Sequence, residues 1–464
     1  MVVCCSNYEK FNAVARRLWV RLQQLDATPL LPLPGLGNDQ EELGYDQALR
    51  PWLTALWARL LEPDALPLPE GKSVRVGHLA SPRLAIELLP TLEAGQSAAL
   101  ELAQPAFPAV AGRYTQQQPL SGRLVRSERV TPASHWQDVR LFEFNVGGSG
   151  LTHRPGDVLS VMPRNLEPAA LAFCKVIGHS PDTRLLVRPS HEKWAQAVPV
   201  GCGWLGDTDA VGAAAGRDGG ALATTLLELV CSSLDIQANP RRQFFGRCAM
   251  LAADPMHATR LDHFASPAGE YECNNYSITE RHTVTDTLRD FPSIVGEHTS
   301  LSQLLDIIPR LQPRQFSIAS AIEASADRDT IQLLVAMVEY KTIFGQNRKG
   351  LCTSWLASLE ANVATAPIWV NSGSLKLPAD PASGIICVGP GTGVAPLRSF
   401  IQYRRLLEPL GGAGPAALYF GCRNQGCDFF FADEWAAYVS PRPPGGKACP
   451  PHVANQNRSV LIPS

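Results

Sequence analysis

No stretch of this 464-residue chain approaches the run of about eighteen apolar residues that a membrane-spanning helix needs, which excludes a membrane span. An excess of charge is missing too. Lys and Arg number 41 against 43 Asp and Glu, a net of −2, so there is no basic footprint for nucleic acid or for an acidic membrane surface. The opening residues Met1-Val2-Val3-Cys4-Cys5-Ser6-Asn7 lack the basic start and the long apolar core of a signal peptide. The 12 cysteines include no CxxC pair, which excludes a structural zinc site and a thioredoxin-type redox pair. Cys422 and Cys427 are the nearest non-adjacent pair and have no histidine partners. Scattered reduced thiols fit a cytoplasmic protein.

What is present reads as globular: 45% hydrophobic and 18% charged residues, in a length suited to about three domains. Residues 7–26 have helical periodicity, with Phe11, Val14, Ala15, Leu18, Leu22 and Leu25 on one stripe. The apolar run 29–34 reads as a short buried strand, 35–39 as a glycine turn and 47–61 as a second helix. These are the ingredients of an α/β unit over 1–61. From 62 to 118 proline, alanine and glycine break every pattern, and the stretch reads as linker.

Beyond it the periodicity becomes two. Strands are predicted at 123–130, 139–146 and 157–162, and again at 315–319, 331–339 and 368–370. Short strands with glycine and proline turns predict an antiparallel barrel over 119–383. The block between, about 164–310, reads as a mainly helical insertion with a glycine-rich loop at 201–220. From 384 to 439 a buried strand, a glycine loop, a helix and a second strand make one βαβ unit with parallel strands. Residues 440–464 have no periodicity and read as a disordered tail.

Three segments can carry chemistry. In Arg314-Gln315-Phe316-Ser317, strand alternation puts Arg314 and Phe316 on one face and Gln315 and Ser317 on the other. A guanidinium can grip a diphosphate, a ring can stack on a flat heterocycle, and a hydroxyl can donate to a ring nitrogen. An ordinary strand with a surface arginine is the competing reading. In Gly350-Leu351-Cys352-Thr353, glycine allows close approach and the next residues open a helix whose unpaired N–H groups suit a phosphate. The alternative is a plain helix capped by Thr353 or Ser354. Gly389-Pro390-Gly391-Thr392-Gly393 departs from the GxGxxG fingerprint, yet it sits where parallel sheets bind ligands, between a strand's carboxyl end and a helix. A purely structural turn is its alternative.

Together, in this order, the three segments resemble the flavin reductase module of the ferredoxin–NADP reductase type. With the helical insertion and the preceding α/β piece, the chain resembles the diflavin reductases. Residues 314–320 and 348–359, with Phe316 where most relatives have tyrosine, are most similar to the branch serving cytosolic iron–sulfur cluster assembly. The fold class this implies is multidomain α/β plus β-barrel: a partial flavodoxin-like unit, an antiparallel FAD-binding barrel with a helical insertion, and a partial doubly wound NADP-binding domain. The implied activity passes electrons from NADPH through FAD, and FMN in the intact family, to an iron–sulfur assembly protein of the anamorsin kind. The resemblance assigns FAD contacts to Arg281, Arg314, Gln315, Phe316, Ser317, Gly350, Leu351, Cys352 and Thr353, with Ser317 also catalytic. It assigns the nicotinamide nucleotide to Gly391, Thr392 and Gly393, and a nucleotide phosphate to Arg423. Tyr8 matches an FMN stacking ring and Asn38 a glycine–aspartate turn.

The chain also departs from the family. Cys4-Cys5 stands where a glycine–aspartate pair is expected, and the loop wrapping the FMN phosphate has no counterpart before it. The serine–arginine site for the 2′-phosphate and the final shielding aromatic have no counterpart after 393. The expectation is therefore a chain truncated at both ends, binding FAD and not FMN. Two alternatives stand beside full reductase activity: an FAD-binding product without it, and a single-flavin reductase with another acceptor.

Overall fold

The structure is a computed structural model and describes residues 2–4, 12–31, 36–38, 40, 46–62, 79–89, 114–191, 222–324, 329–407, 412–439, 452–453 and 460–461. The chain forms two compact units, 1–78 and 79–464. In the first, β1 (Val2–Cys4) pairs in parallel with β2 (Leu36–Asn38), and helices span Ala13–Gln24 and Asp46–Leu60. A strand falls on Leu36–Asn38, within the stretch read as a glycine turn; of the apolar run 29–34, residues 29–31 are not strand and 32–34 lie outside the described residues. Proline has no N–H to give a ladder. The expected apolar stripe of the first helix also lies differently. Val14, Leu18, Leu22 and Leu25 are exposed and Ala15 is buried. Periodicity tells which side chains share a face, not whether anything covers it.

In the second unit, β4 (Leu120–Arg129), β5 (Val139–Asn145), β6 (Val158–Val161), β9 (Arg314–Ser317), β10 (Thr330–Ala336) and β13 (Thr365–Asn371) form one antiparallel sheet. Its order is β10-β5-β4-β13-β6-β9. The two edges meet: Ile318 bridges Leu333, and the Ala319 N–H donates to the Gln332 carbonyl at 2.8 Å. The sheet thus curls around a core that includes Leu124, Phe142, Phe144, Leu159, Leu333 and Ile368.

Strands β5 and β10 are apolar on both faces. Phe142, Phe144, Ile331 and Leu333 fill the interior, while Val139 and Leu334 face a second core built with Val394, Leu397 and Phe400 of the helix Val394–Leu407. Two-sided burial is why Val-Arg-Leu-Phe-Glu-Phe and Ile-Gln-Leu-Leu-Val alternate so poorly. That helix joins β14 (Ile385–Pro390) to the parallel strand β15 (Ala416–Gly421).

The inserted block has its own core, in which Phe173, Phe245, Leu261 and Leu288 from four helices meet. It is not purely helical. β7 (Arg184–Pro189) lies between β8 (Leu222–Thr225) and β3 (Leu84–Leu88), and β3 falls inside the stretch read as linker. Pairing across about a hundred residues, with proline at 82, hides such a strand from local pattern. The loop expected at 201–220 lies outside the described residues.

β11 (Glu339–Lys341) and β12 (Asn347–Lys349) form a hairpin leading into the helix Leu351–Ser358. In the segment expected to be a disordered tail, β16 (His452–Val453) pairs antiparallel with β17 (Val460–Leu461). Among the described residues no helix is long and apolar enough to cross a membrane.

Candidate functional site

β9 ends the sheet, laddered to β6 along its length and meeting β10 just past its end, at Ile318. Arg314 stands opposite Val161 and Phe316 opposite Leu159. Both partners are buried barrel residues, so Phe316 leans half-buried on the barrel core. Ser317 is half-buried and Gln315 exposed. The Arg314 guanidinium donates to the Gln312 carbonyl at 2.5 Å and lies 3.8 Å from Asp235. Burial pushes the Asp235 carboxyl above its ordinary range, against the pull of Arg314.

Gly350 opens the helix Leu351–Ser358 with no side-chain cap, and its N–H donates to the Val338 carbonyl at 2.8 Å. The alternative reading, a helix capped by Thr353 or Ser354, does not hold, because the N-cap residue is Gly350. The Thr353 hydroxyl instead donates to the Gly350 carbonyl at 3.2 Å and accepts from the Val338 N–H at 3.3 Å. A Cβ on residue 350 would stand 2.7 Å from the Cβ of Val338, so glycine lets the helix start press on the link between β10 and β11. Cys352 and Phe316 pack on one core, and Leu351 joins Met162, Leu311 and Trp369 beside it. Burial pushes the Cys352 thiol up to about 12, with the Arg314 charge pulling the other way. The arginine strand and the helix start therefore converge on one side of the barrel. A cation beside unpaired helix amides is the chemistry of a diphosphate site.

Arg281 adopts a left-handed backbone, φ 63°, directly after the π-turn Asn275–Thr279, and its guanidinium sits 5.6 Å above the Tyr340 ring of the hairpin. The hairpin is tied to the insertion by Arg348, whose Nη2 donates to Asp286 at 2.7 Å.

In the Gly391–Gly393 turn, Gly391 has φ 53° and open space where a Cβ would stand. Thr392 is half-buried and Gly393 exposed. Cα atoms of this turn approach β10 within 8 Å. Arg423 follows β15; its N–H donates to Asp428 at 2.9 Å, and its guanidinium lies 4.7 Å over the exposed ring of Trp136. Asn38, at the end of β2, accepts the Gln40 N–H at 3.1 Å. Tyr8 lies outside the described residues.

Sequence reading missed two buried polar residues here. Arg398, in the helix after the glycine turn, donates to the Ala319 carbonyl at 2.8 Å, the Gln332 side chain at 2.7 Å and Glu434 at 2.7 Å. His153 contacts the Ser320 carbonyl at 3.0 Å through Nε2, and burial lowers its pKa from 6.5. The only signal was a charge set in the apolar run Ala395-Pro396-Leu397-Arg398-Ser399-Phe400, since a buried charge needs partners.

Comparison with known proteins fits this layout. Residues 113–355 match the family model of the FAD binding domain, and 387–457 match the oxidoreductase NAD-binding domain, running into the segment read as tail. The curated relatives it resembles include NADPH-dependent diflavin oxidoreductase 1 of Xenopus laevis, 38% identical over 93% of this chain and 67% of the relative. The proteins of that name from Bos taurus and Danio rerio are each 36% identical, over 93% and 94% of this chain and 67% and 68% of their own lengths. With an FAD-binding domain carrying Arg314 and the 350s helix, and an NAD-binding domain carrying the glycine turn, the chain belongs to the NADPH-dependent diflavin oxidoreductase 1 family.

Proposed function

We propose that the chain is the FAD-carrying reductase of an electron-transfer route that begins at NADPH and ends, by way of FMN in the family, at an iron–sulfur assembly protein of the anamorsin kind in the cytoplasm. The observation that carries this reading is the convergence of Arg314, Phe316 and the uncapped start of the 351–358 helix. The donor set fits FAD. Arg314, with its side chain 39% exposed, is free to turn from Asp235 to a diphosphate, and the amides of Leu351, Cys352 and Thr353 offer the second clamp. Phe316 offers a flat apolar surface on which a flavin ring could stack, and the Ser317 hydroxyl next in the strand could donate to a ring nitrogen. Arg281 and Tyr340 extend the site toward the insertion. Gly391, Thr392 and Gly393 would let a nicotinamide nucleotide approach the backbone, and Arg423, which rests over Trp136 at the end of β15, would supply a cation for its phosphate. FAD, when bound, supplies the hydride-accepting and one-electron chemistry; the residues here bind, orient and polarise. The eight cysteines from Cys174 to Cys427 whose side chains are described are free, which supports a reducing compartment.

The test is direct. The purified chain is scanned in the visible range, its released flavin is identified, and NADPH is added without oxygen. FAD that bleaches supports the reading. FAD without bleaching favours the binding-only alternative, and absence of FAD rejects the site. Arg314→Ala should strip the flavin; unchanged content would reject the clamp.

A further inference from the structure

The segment directly after Ser317 is held at three consecutive residues. The Ala319 carbonyl accepts from Arg398 at 2.8 Å, the Ser320 carbonyl meets His153 Nε2 at 3.0 Å, and the Ala321 N–H donates to Gln402 at 2.9 Å. Arg398 and Gln402 are one turn apart on the helix that starts at the glycine turn. Glu434, on the helix Ala432–Val439, receives both: Arg398 at 2.7 Å on one carboxylate oxygen and Gln402 at 2.8 Å on the other. Arg398 also reaches the Gln332 side chain at 2.7 Å and stacks 4.2 Å over the Phe431 ring. It is 8% exposed.

This is more than a buried charge being satisfied. A carboxylate alone would neutralise Arg398, yet the fork of the guanidinium is split, one arm to Glu434 and the other across to the barrel. The barrel end of the bond lies two residues after Ser317, and the helix end lies five residues after Gly393. Bond, helix and strand are each rigid, and a shift of about 1 Å between reacting groups costs up to about a hundredfold in rate.

We infer that Arg398 is a positioning residue that fixes the Gly391–Gly393 turn against Ser317, with Glu434 and Gln402 holding its orientation. The inference rests on the proposed reading of Ser317 and the glycine turn as the flavin and nicotinamide sides of one site. Arg398 is 8% exposed and spends its hydrogen bonds on Glu434, Ala319 and Gln332. It therefore governs the rate of reduction and not the retention of FAD or the affinity for the nucleotide.

The test compares the full chain with Arg398→Gln, Arg398→Lys and Gln402→Leu. Three quantities are read: bound FAD, the rate of flavin bleaching by NADPH and by 4-deuterated NADPH, and hydrogen exchange at 319–321 and 391–393. Arg398→Gln is expected to keep its FAD and its nucleotide KM while bleaching slows about ten- to hundredfold and the isotope effect rises. Exchange is expected to quicken at 319–321 and 391–393 together. Arg398→Lys, which keeps a charge but loses the fork, should recover part of the rate. Unchanged bleaching, a rise in KM alone, or quickened exchange at only one segment would overturn the inference. Should Arg398→Gln fail to fold, Gln402→Leu carries the same comparisons with a smaller expected loss. If the parent chain itself holds no FAD, the proposed function fails, and the exchange arm still decides the role of Arg398.

Discussion

Arg348 and Asp286 lie 62 positions apart and meet at 2.7 Å, joining the hairpin that feeds the 351–358 helix to the helical insertion. Asp286 is already engaged. It caps the helix Val284–Asp290 in a reciprocal box with Thr283, two residues after the left-handed Arg281. One carboxylate therefore anchors Arg281 through the chain and the helix start through Arg348. Asp286 keeps Thr283 and Arg289, the latter at 3.0 Å, so Arg348→Met should cost no more than about 1.5–3 kcal/mol, the range for one hydrogen bond to a charged group. It should also loosen FAD without touching any residue of the diphosphate clamp. Calorimetry and flavin content check both.

The same carboxylate gives a pH dependence. Burial raises the Asp286 pKa, but the Thr283 hydroxyl and amide and the Arg348 charge outweigh it, so the net shift is downward from 3.8. A depressed acid contributes stability above its unfolded pKa and loses it as pH falls through the folded value. Melting temperature should drop more steeply below about pH 4 in the parent than in Asp286→Asn. Parallel acid curves would show that Asp286 carries no such linkage.

His153 acts at higher pH. Burial disfavours its cation, and the Ser320 hydrogen bond and the nearby acids only partly offset this, so its pKa lies below 6.5. Between the two values the unfolded chain binds the extra proton, and stability rises with pH. Acidification from pH 7 through about 6.5 and below should lower the melting temperature of the parent, while His153→Gln flattens that slope.

How much of this was legible in the sequence depends on how local each signal is. β9, the glycine turn and the βαβ unit are read directly, because alternation, glycine and helix starts act over a few residues. β3 and β7 are not, since neither alternates clearly and each is held by a partner far along the chain. The contrast is sharper in the site. Arg314, Gly350 and Thr392 stand in short motifs, whereas Arg398 gains its meaning from Ala319, 79 positions away, and His153 from Ser320, 167 positions away. Packing also decided what pattern could not: the stripe of the first helix is regular, yet Val14 is 80% exposed.

Cys352 tests whether a thiol inside the FAD motif reacts. Burial lifts its pKa to about 12, so at neutral pH it remains a thiol shielded by the barrel core. Iodoacetamide at pH 8 should label the half-buried Cys422 and Cys427 well before Cys352, read by peptide mass mapping. Early labelling of Cys352 would mean that the 351–358 helix opens in solution.

Gly350 separates packing from chemistry. Its backbone, φ −67° and ψ 129°, is open to any residue, so alanine meets no torsional penalty. The obstacle is space: the new methyl would stand 2.7 Å from the Val338 Cβ and 2.8 Å from the Thr353 hydroxyl. The Val338 contact is a Cβ fixed to the backbone, so relief must come from moving the helix start outward. Overpacking of this kind costs about 1–3 kcal/mol. A displaced helix start also carries the amides of Leu351 and Cys352 away from the Arg314 side, so Gly350→Ala should lose FAD far beyond what its loss of stability explains. Flavin content measured well below the melting temperature makes the distinction. Full occupancy in a destabilised Gly350→Ala chain would show that the close approach serves packing alone.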